Sequence, residues 1–201
     1  RKLEKWQRNI QEFSAILAGP GMRNHEQTRS VIDALLERSR NTFVLDADAL
    51  NVYEKQAALL RDATCPLVIT PHPGELARLM GCSASEVQAE RFGMADRAAG
   101  ETGGVVVLKG AGTIIAGNGM PLTVNMTGNP GMAKGGMGDV LAGLIGGMAA
   151  QGFAPFDAAR IAVYLHGRAG DNVAWRTSQA GMTAGDLNEE LSGVVRELTA
   201  R

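Results

Sequence analysis

The sequence predicts an α/β fold: a mostly parallel sheet with helices on both faces and an antiparallel hairpin at one edge. Two patterns carry the architecture. Short runs that are apolar throughout recur along the chain, each followed by a longer stretch of helical periodicity. Strands buried on both faces and alternating with helices make a parallel sheet covered on both sides. Further on, two short runs flank Gly117-Asn118-Gly119, a tight-turn signal that joins antiparallel strands.

In chain order, the run at Ala15 to Ala18 precedes a helical stretch from Glu26 to Ser39, and Phe43 to Leu45 precedes Ala49 to Asp62. Leu67 to Ile69 comes before Glu75 to Met80, and Val105 to Leu108 is the fourth run. Between the third and fourth, Ser83 and Glu86 stand three apart like a capping box, which starts a helix expected from Ala84 to Thr102. The hairpin strands are Thr113 to Ala116 and Leu122 to Asn125. Three helices close the chain: Asp139 to Gln151, Pro155 to Asn172 with proline in its first turn, and Ala184 to Leu198 behind a Thr183/Asp186 box. Gly143, Gly146 and Gly147 lie inside the first of these, and close packing against a neighbour is the expected reason.

Composition narrows the function. The 201 residues are 45% apolar and 20% charged, as in an ordinary globular domain, so residues 1–201 are read as one domain. A formal net charge of −1 with scattered basic residues leaves no footprint for nucleic acid or an anionic membrane. No run is long and apolar enough for a spanning helix. Cys65 and Cys82 form no CxxC pair and no metal-ligand spacing, which points to a reducing compartment, the cytoplasm.

In open α/β sheets ligands bind beyond the carboxyl ends of the strands, so the loops after the apolar runs hold the candidates. They read Gly19-Pro20-Gly21, Asp46-Ala47-Asp48-Ala49-Leu50-Asn51, Thr70-Pro71-His72-Pro73-Gly74-Glu75 and Lys109-Gly110-Ala111-Gly112-Thr113. Each also has a plainer reading. The first is a common turn, His72 between two prolines fits a rigid loop with a solvated ring, and Lys109 at a strand end fits a side chain reaching for water. At least one of Asp46 and Asp48 is expected to cap the next helix. His25 and His166 carry no partner signal.

The most informative stretch runs from Gly128 to Gly143, Gly-Asn-Pro-Gly-Met-Ala-Lys-Gly-Gly-Met-Gly-Asp-Val-Leu-Ala-Gly. Its glycines let backbone N–H groups converge at the positive end of a helix, a corner suited to phosphate. A carboxylate there, Asp139, is unfavourable beside a phosphate unless it takes a proton from an attacking hydroxyl. The alternative is a tight turn with Asp139 as its N-cap.

These segments, in this order, resemble the ADP- or ATP-dependent NAD(P)H-hydrate dehydratases of the ribokinase-like superfamily. The pairing of the His-Pro-Gly-Glu loop with the Gly-Asn-Pro-Gly-Met-Ala-Lys-Gly-Gly-Met-Gly-Asp stretch carries the likeness, which covers most of the chain. The resemblance implies that hydrated NADH and NADPH are dehydrated at the expense of ADP or ATP, with Mg²⁺ carried by the nucleotide. It implies Asp139 as the catalytic carboxylate, with Gly135, Gly136 and Gly138 around the transferring phosphate. Lys109, Gly110, Ala111, Gly112 and Thr113 would form the adenine-nucleotide segment, and Gly21, His72, Asn129 and Asp139 the contacts to the hydrated dinucleotide. No protein metal cage is implied.

Two positions depart from the family pattern. Met137 stands where threonine is more frequent, and Lys134 where a smaller residue is common, there to add charge near the phosphate or to point to solvent. The resemblance also places amino-terminal elements ahead of Arg1, an epimerase domain fused or separate, and a homo-oligomer. The alternatives are a ribokinase-like kinase of a vitamin precursor, using the same Asp139, and a nucleotide-binding fragment without turnover.

Overall fold

The structure, a computed structural model, describes residues 10–200. Six strands form one sheet in the order β1-β2-β3-β4-β5-β6: β1 (Ala15–Ala18), β2 (Thr42–Leu45), β3 (Leu67–Ile69), β4 (Val105–Leu108), β5 (Thr113–Ala116) and β6 (Thr123–Asn125). The first four are parallel, with Leu17 beside Val44 and Val44 beside Val68. β5 and β6 run antiparallel, Val107 opposite Ile115 and Ile114 opposite Val124, as the glycine-bounded turn requires.

Spatial order equals chain order, so right-handed crossovers send every connection between parallel strands over the same face. That face carries α1 (Glu26–Leu36), α2 (Asp48–Asn51), a 3₁₀ helix at Ala57–Asp62, α3 (Pro73–Met80), α4 (Ala84–Ala89) and α5 (Arg91–Thr102). Phe43, Leu45, Ile69, Val106 and Leu108 pack there against Ile32, Tyr53, Leu76 and Ala95. The alternate residues Val44, Val68, Val107 and Ile115 meet Leu141, Ile145 and Ala159 on the opposite face. That second layer is built from α6 (Met137–Ala150) and α7 (Pro155–Arg176), with α8 (Ala184–Thr199) closing a third cluster around Val173, Met182 and Leu187.

Several elements differ from the sequence expectation. The stretch from Ala49 to Asp62 splits at Lys55 (φ +58°), whose N–H turns out of register to donate to Arg78 O at 2.8 Å. The helix expected from Ala84 to Thr102 breaks at Glu90 (φ −127°, ψ 43°). Helix α6 starts two residues before Asp139, because Gly136 takes the cap in a left-handed conformation (φ +84°) that suits glycine. The three glycines within α6 do not sit against a neighbour: a Cβ at Gly143, Gly146 or Gly147 would meet nothing within 4 Å. They lie on the face of α6 turned away from the sheet, and nothing in the structure explains them. Among the described residues no helix is long and apolar enough to cross a membrane.

Candidate active site

Parallel strands deliver all four of their following loops to one edge, and those loops are bonded to one another. Asp46 N donates to Ala18 O at 3.1 Å, and a Cβ on Gly19 (φ +136°) would stand 1.7 Å from Asp46 O, so only glycine admits this approach. Asp48 Oδ2 accepts from Arg23 N at 2.8 Å, fastening the second loop to the first. Between the two aspartates Ala47 holds φ +48°, ψ −119°, a strained backbone at a point where two loops must meet.

Asp46 is buried (1% exposed), and its Oδ1 accepts from Thr70 Oγ1 at 2.7 Å and from Lys109 Nζ at 2.8 Å. Neither Asp46 nor Asp48 caps α2, contrary to expectation. Asp46 is drawn inward by the Lys109 ammonium and Asp48 outward by Arg23 N, leaving Ala47 as the cap residue with no side-chain bond. Lys109 does not reach for water either; its ammonium is 2.8 Å from Asp46 Oδ1 and 3.6 Å from Glu75 Oε2, and its N–H donates to Pro71 O.

His72 caps α3. Its Nδ1 accepts from Gly74 N at 3.0 Å and Glu75 N at 3.3 Å, while Glu75 Oε2 accepts from His72 N at 2.8 Å. Accepting at Nδ1 leaves the ring proton on Nε2, 3.5 Å from Glu75 Oε1. Burial pushes the His72 pKa below its ordinary value against the pull of Glu75, with the Lys109 and Arg78 charges acting in the same direction as burial. The ring is therefore neutral at pH 7.

The start of α6 joins this cluster. A Cβ on Gly138 would lie 3.4 Å from Lys109 Nζ and 3.9 Å from Asp46 Oδ2. Among the described residues, the N–H groups of Gly135, Gly136, Gly138 and Asp139 donate to no protein acceptor, and Gly136 offers no side chain to cap them. Four free donors at a helix start are a cradle for an anion. Asp139 is exposed within the same turn, and its carboxylate has no hydrogen bond or ion pair among the described residues.

The cradle is braced from behind. His166, on α7, shares a 2.9 Å hydrogen bond with Met137 O, and burial pushes its pKa down to about 4, so the neutral ring is the donor. Met137 is buried toward α7 and α8, away from the cradle. Lys134 does not simply point to solvent, because its ammonium donates to Gln179 O at 3.1 Å and Met182 O at 2.9 Å and so clamps the turn between α7 and α8. Asn129 is also engaged: its amide donates to Asp171 Oδ1 at 3.0 Å, its oxygen accepts from Gly131 N, and Asp171 Oδ2 takes Gly128 N at 2.9 Å.

Gly21 (φ +73°) is exposed, with nothing within 4 Å of a would-be Cβ. Gly110 and Ala111 are exposed at the end of β4, and Thr113 Oγ1 donates to Gly110 O at 3.0 Å. Sequence reasoning missed the braces, Asp171 and His166, and the inward ion pair of Asp46. A lone histidine or aspartate within a helix gives no local sign of a partner that lies on another element. A groove of about 560 Å³ between β6 and α7, lined by residues including Val124, Phe153 and Tyr164, shares no residue with this cluster.

Comparison with known proteins gives the family. Residues 2–192 match the sequence pattern of the NAD(P)H-hydrate dehydratase family. The bifunctional NAD(P)H-hydrate repair enzyme Nnr of Moorella thermoacetica is 44% identical over 189 residues, covering 94% of this chain and 36% of that protein. The ADP-dependent (S)-NAD(P)H-hydrate dehydratase of Neisseria meningitidis serogroup B is 37% identical, over 95% of this chain and 64% of that one. The chain thus spans about a third of the first relative's length and under two thirds of the second's. In three dimensions it is similar to the ADP/ATP-dependent NAD(P)H-hydrate dehydratase of Bacillus subtilis, co-crystallized with ATP/Mg²⁺ (TM-score 0.83, 34% identity, 92% of this chain and 64% of that one). With its strand-end loops tied together, its free amides at the start of α6 and a sequence match from residue 2 to residue 192, the chain belongs to the NAD(P)H-hydrate dehydratase family.

Proposed function

We propose that the protein dehydrates hydrated NADH or NADPH, restoring the reduced cofactor, with ADP or ATP consumed in the step. One observation carries the reading: at the start of α6, beside the Lys109 ammonium, lie four amides and a carboxylate, Asp139, that have no partner among the described residues. The residues fit an adenine nucleotide whose phosphates lie in this cradle, with Mg²⁺ on those phosphates. When bound, the nucleotide supplies a phosphoryl group that turns the hydroxyl at nicotinamide C6 into a leaving group.

Asp139 accepts the proton of that hydroxyl. Among the described residues no cation or donor occupies it, whereas Asp46 and Glu75 are committed to Lys109. The amides of Gly135, Gly136 and Gly138 point at the oxygens on which charge develops, and being fixed by the helix they need no rearrangement. Lys109, held by two carboxylates, adds a positive charge at a set position. Gly110 to Thr113 line the nucleotide's side of the edge, and Gly21, His72 and Asn129 the dinucleotide's. His72 is neutral and presents Nε2–H as a donor, while Asn129 acts through the loop it anchors to Asp171.

The same reading makes residues 1–201 part of a single ribokinase-like domain with further elements before Arg1, working in the cytoplasm as a homo-oligomer. An epimerase domain, fused or separate, is its natural partner, and the bifunctional Moorella relative supports this. The test is to incubate the full-length protein with hydrated NADH and ADP or ATP and follow absorbance at 340 nm. Recovery supports dehydration; phosphorylation of a vitamin alcohol without recovery would instead favour the kinase.

A further inference from the structure

Arg91 is the first residue of α5, and its guanidinium lies under the loop that leaves β4. Nη2 donates to Gly112 O at 3.1 Å and Leu108 O at 3.4 Å, and Nη1 to Lys109 O at 3.4 Å and Gln88 Oε1 at 3.3 Å. The guanidinium lies against bare backbone at the loop's second residue: a Cβ on Gly110 (φ +139°) would stand 2.8 Å from Nη1. Arg91 thus has three loop carbonyls but, among the described residues, no carboxylate within ion-pair reach, and burial alone pulls its pKa below the ordinary value.

A half-buried cation without an acidic partner is costly to keep. Here it does two things that a neutral side chain would not. The Lys109 carbonyl that it draws inward shares a peptide with the Gly110 N–H, which is thereby turned outward, and the N–H groups of Gly110, Ala111 and Gly112 donate to no protein acceptor among the described residues. It also leaves a positive charge behind those amides that no carboxylate among the described residues neutralises.

We propose that Arg91 is the positioning residue of the nucleotide loop, holding Lys109 to Gly112 so that the amides of Gly110, Ala111 and Gly112, with the uncompensated guanidinium charge behind them, face the phosphates of an adenine nucleotide. The inference rests on the proposed dehydratase reading but has its own readout. In the full-length protein, Arg91→Ala weakens ADP binding, measured by calorimetry without turnover, by roughly tenfold or more. KM for hydrated NADH and kcat at saturating ADP stay within about threefold of the wild type, because the dinucleotide contacts and Asp139 belong to other elements.

Arg91→Lys retains the charge but not the fork of donors and recovers only part of the affinity, and added guanidinium ion restores binding to Arg91→Ala. A brace that only stabilises the fold would instead lower melting temperature and shift all parameters together. If Arg91→Ala does not fold, Arg91→Met, which fills the space of the side-chain stem but has neither charge nor donors, gives the same selective loss of ADP affinity. ADP binding unchanged within about twofold in the folded variants overturns the inference. Wild-type protein that binds ADP but never restores absorbance at 340 nm overturns the dehydratase reading and leaves the role of Arg91 standing, whereas wild-type protein that binds no ADP overturns both.

Discussion

Lys109 Nζ lies 2.8 Å from Asp46 Oδ1, an ion pair between residues 63 positions apart that joins the loops after β4 and β2 directly beneath Gly138. Asp46 is buried and Lys109 mostly so, which gives the contact more weight than a surface pair. Thr70 supplies the second bond to the same oxygen, so the carboxylate cannot swing away without losing both.

Removing that carboxylate strands a partly buried ammonium. Asp46→Ala is expected to cost about 3 kcal/mol, at the lower end for broken buried pairs because Glu75 still faces Lys109. Urea unfolding monitored by circular dichroism measures it. A loss below about 1 kcal/mol would mean that the pair contributes no more than a surface contact.

Asp139 has the opposite character. Exposed and unpartnered, it contributes little to stability, and Asp139→Asn should melt within about 0.5 kcal/mol of the wild type. Turnover should fall by about 10²–10⁴, the usual worth of a positioned general base, while ADP binding survives on the backbone amides. A variant that lost fold and nucleotide together would show Asp139 to be a structural residue.

His166 predicts a pH dependence. Its pKa is about 4 when folded and about 6.5 when unfolded, so between these values the unfolded chain binds the extra proton. The His166 contribution is therefore complete above pH 6.5 and disappears as pH falls toward 4, a change of about 3 kcal/mol. His166→Gln keeps a donor for Met137 O but does not titrate in this range, and its stability should decline less steeply than the wild type's from pH 6.5 to 4. Parallel curves would refute the assignment.

Gly19→Ala tests the meeting of the first two loops. The added Cβ would overlap Asp46 O, and φ +136° is closed to alanine, so a loss of about 3 kcal/mol or more, or no folded protein, is expected. Gly21→Ala is the control, since it has open space and a milder φ of +73°, and about 1 kcal/mol is expected there. Equal losses would place the strain in the conformation alone.

The sheet was legible because strands buried on both faces leave continuous apolar runs, and the hairpin because Gly117-Asn118-Gly119 is local turn chemistry. The capping boxes at Ser83 and Thr183 were legible for the same reason: both partners lie within three residues. Helix breaks were not, since the turn at Lys55 depends on a carbonyl of Arg78, which the local pattern around Lys55 does not encode.

By itself, then, the sequence determined the α/β architecture, the edge on which the loops gather and the glycine-rich turn before Asp139. These follow from periodicity and from glycine's freedom, both properties of near neighbours. Only the tertiary structure decided that Asp46 faces Lys109 instead of capping α2, that Lys134 clamps the turn ahead of α8, and that His166 and Asp171 brace the glycine-rich loop. A charge takes whichever partner folding brings within about 3 Å in a region of low dielectric, and that choice is made by segments far apart in the chain.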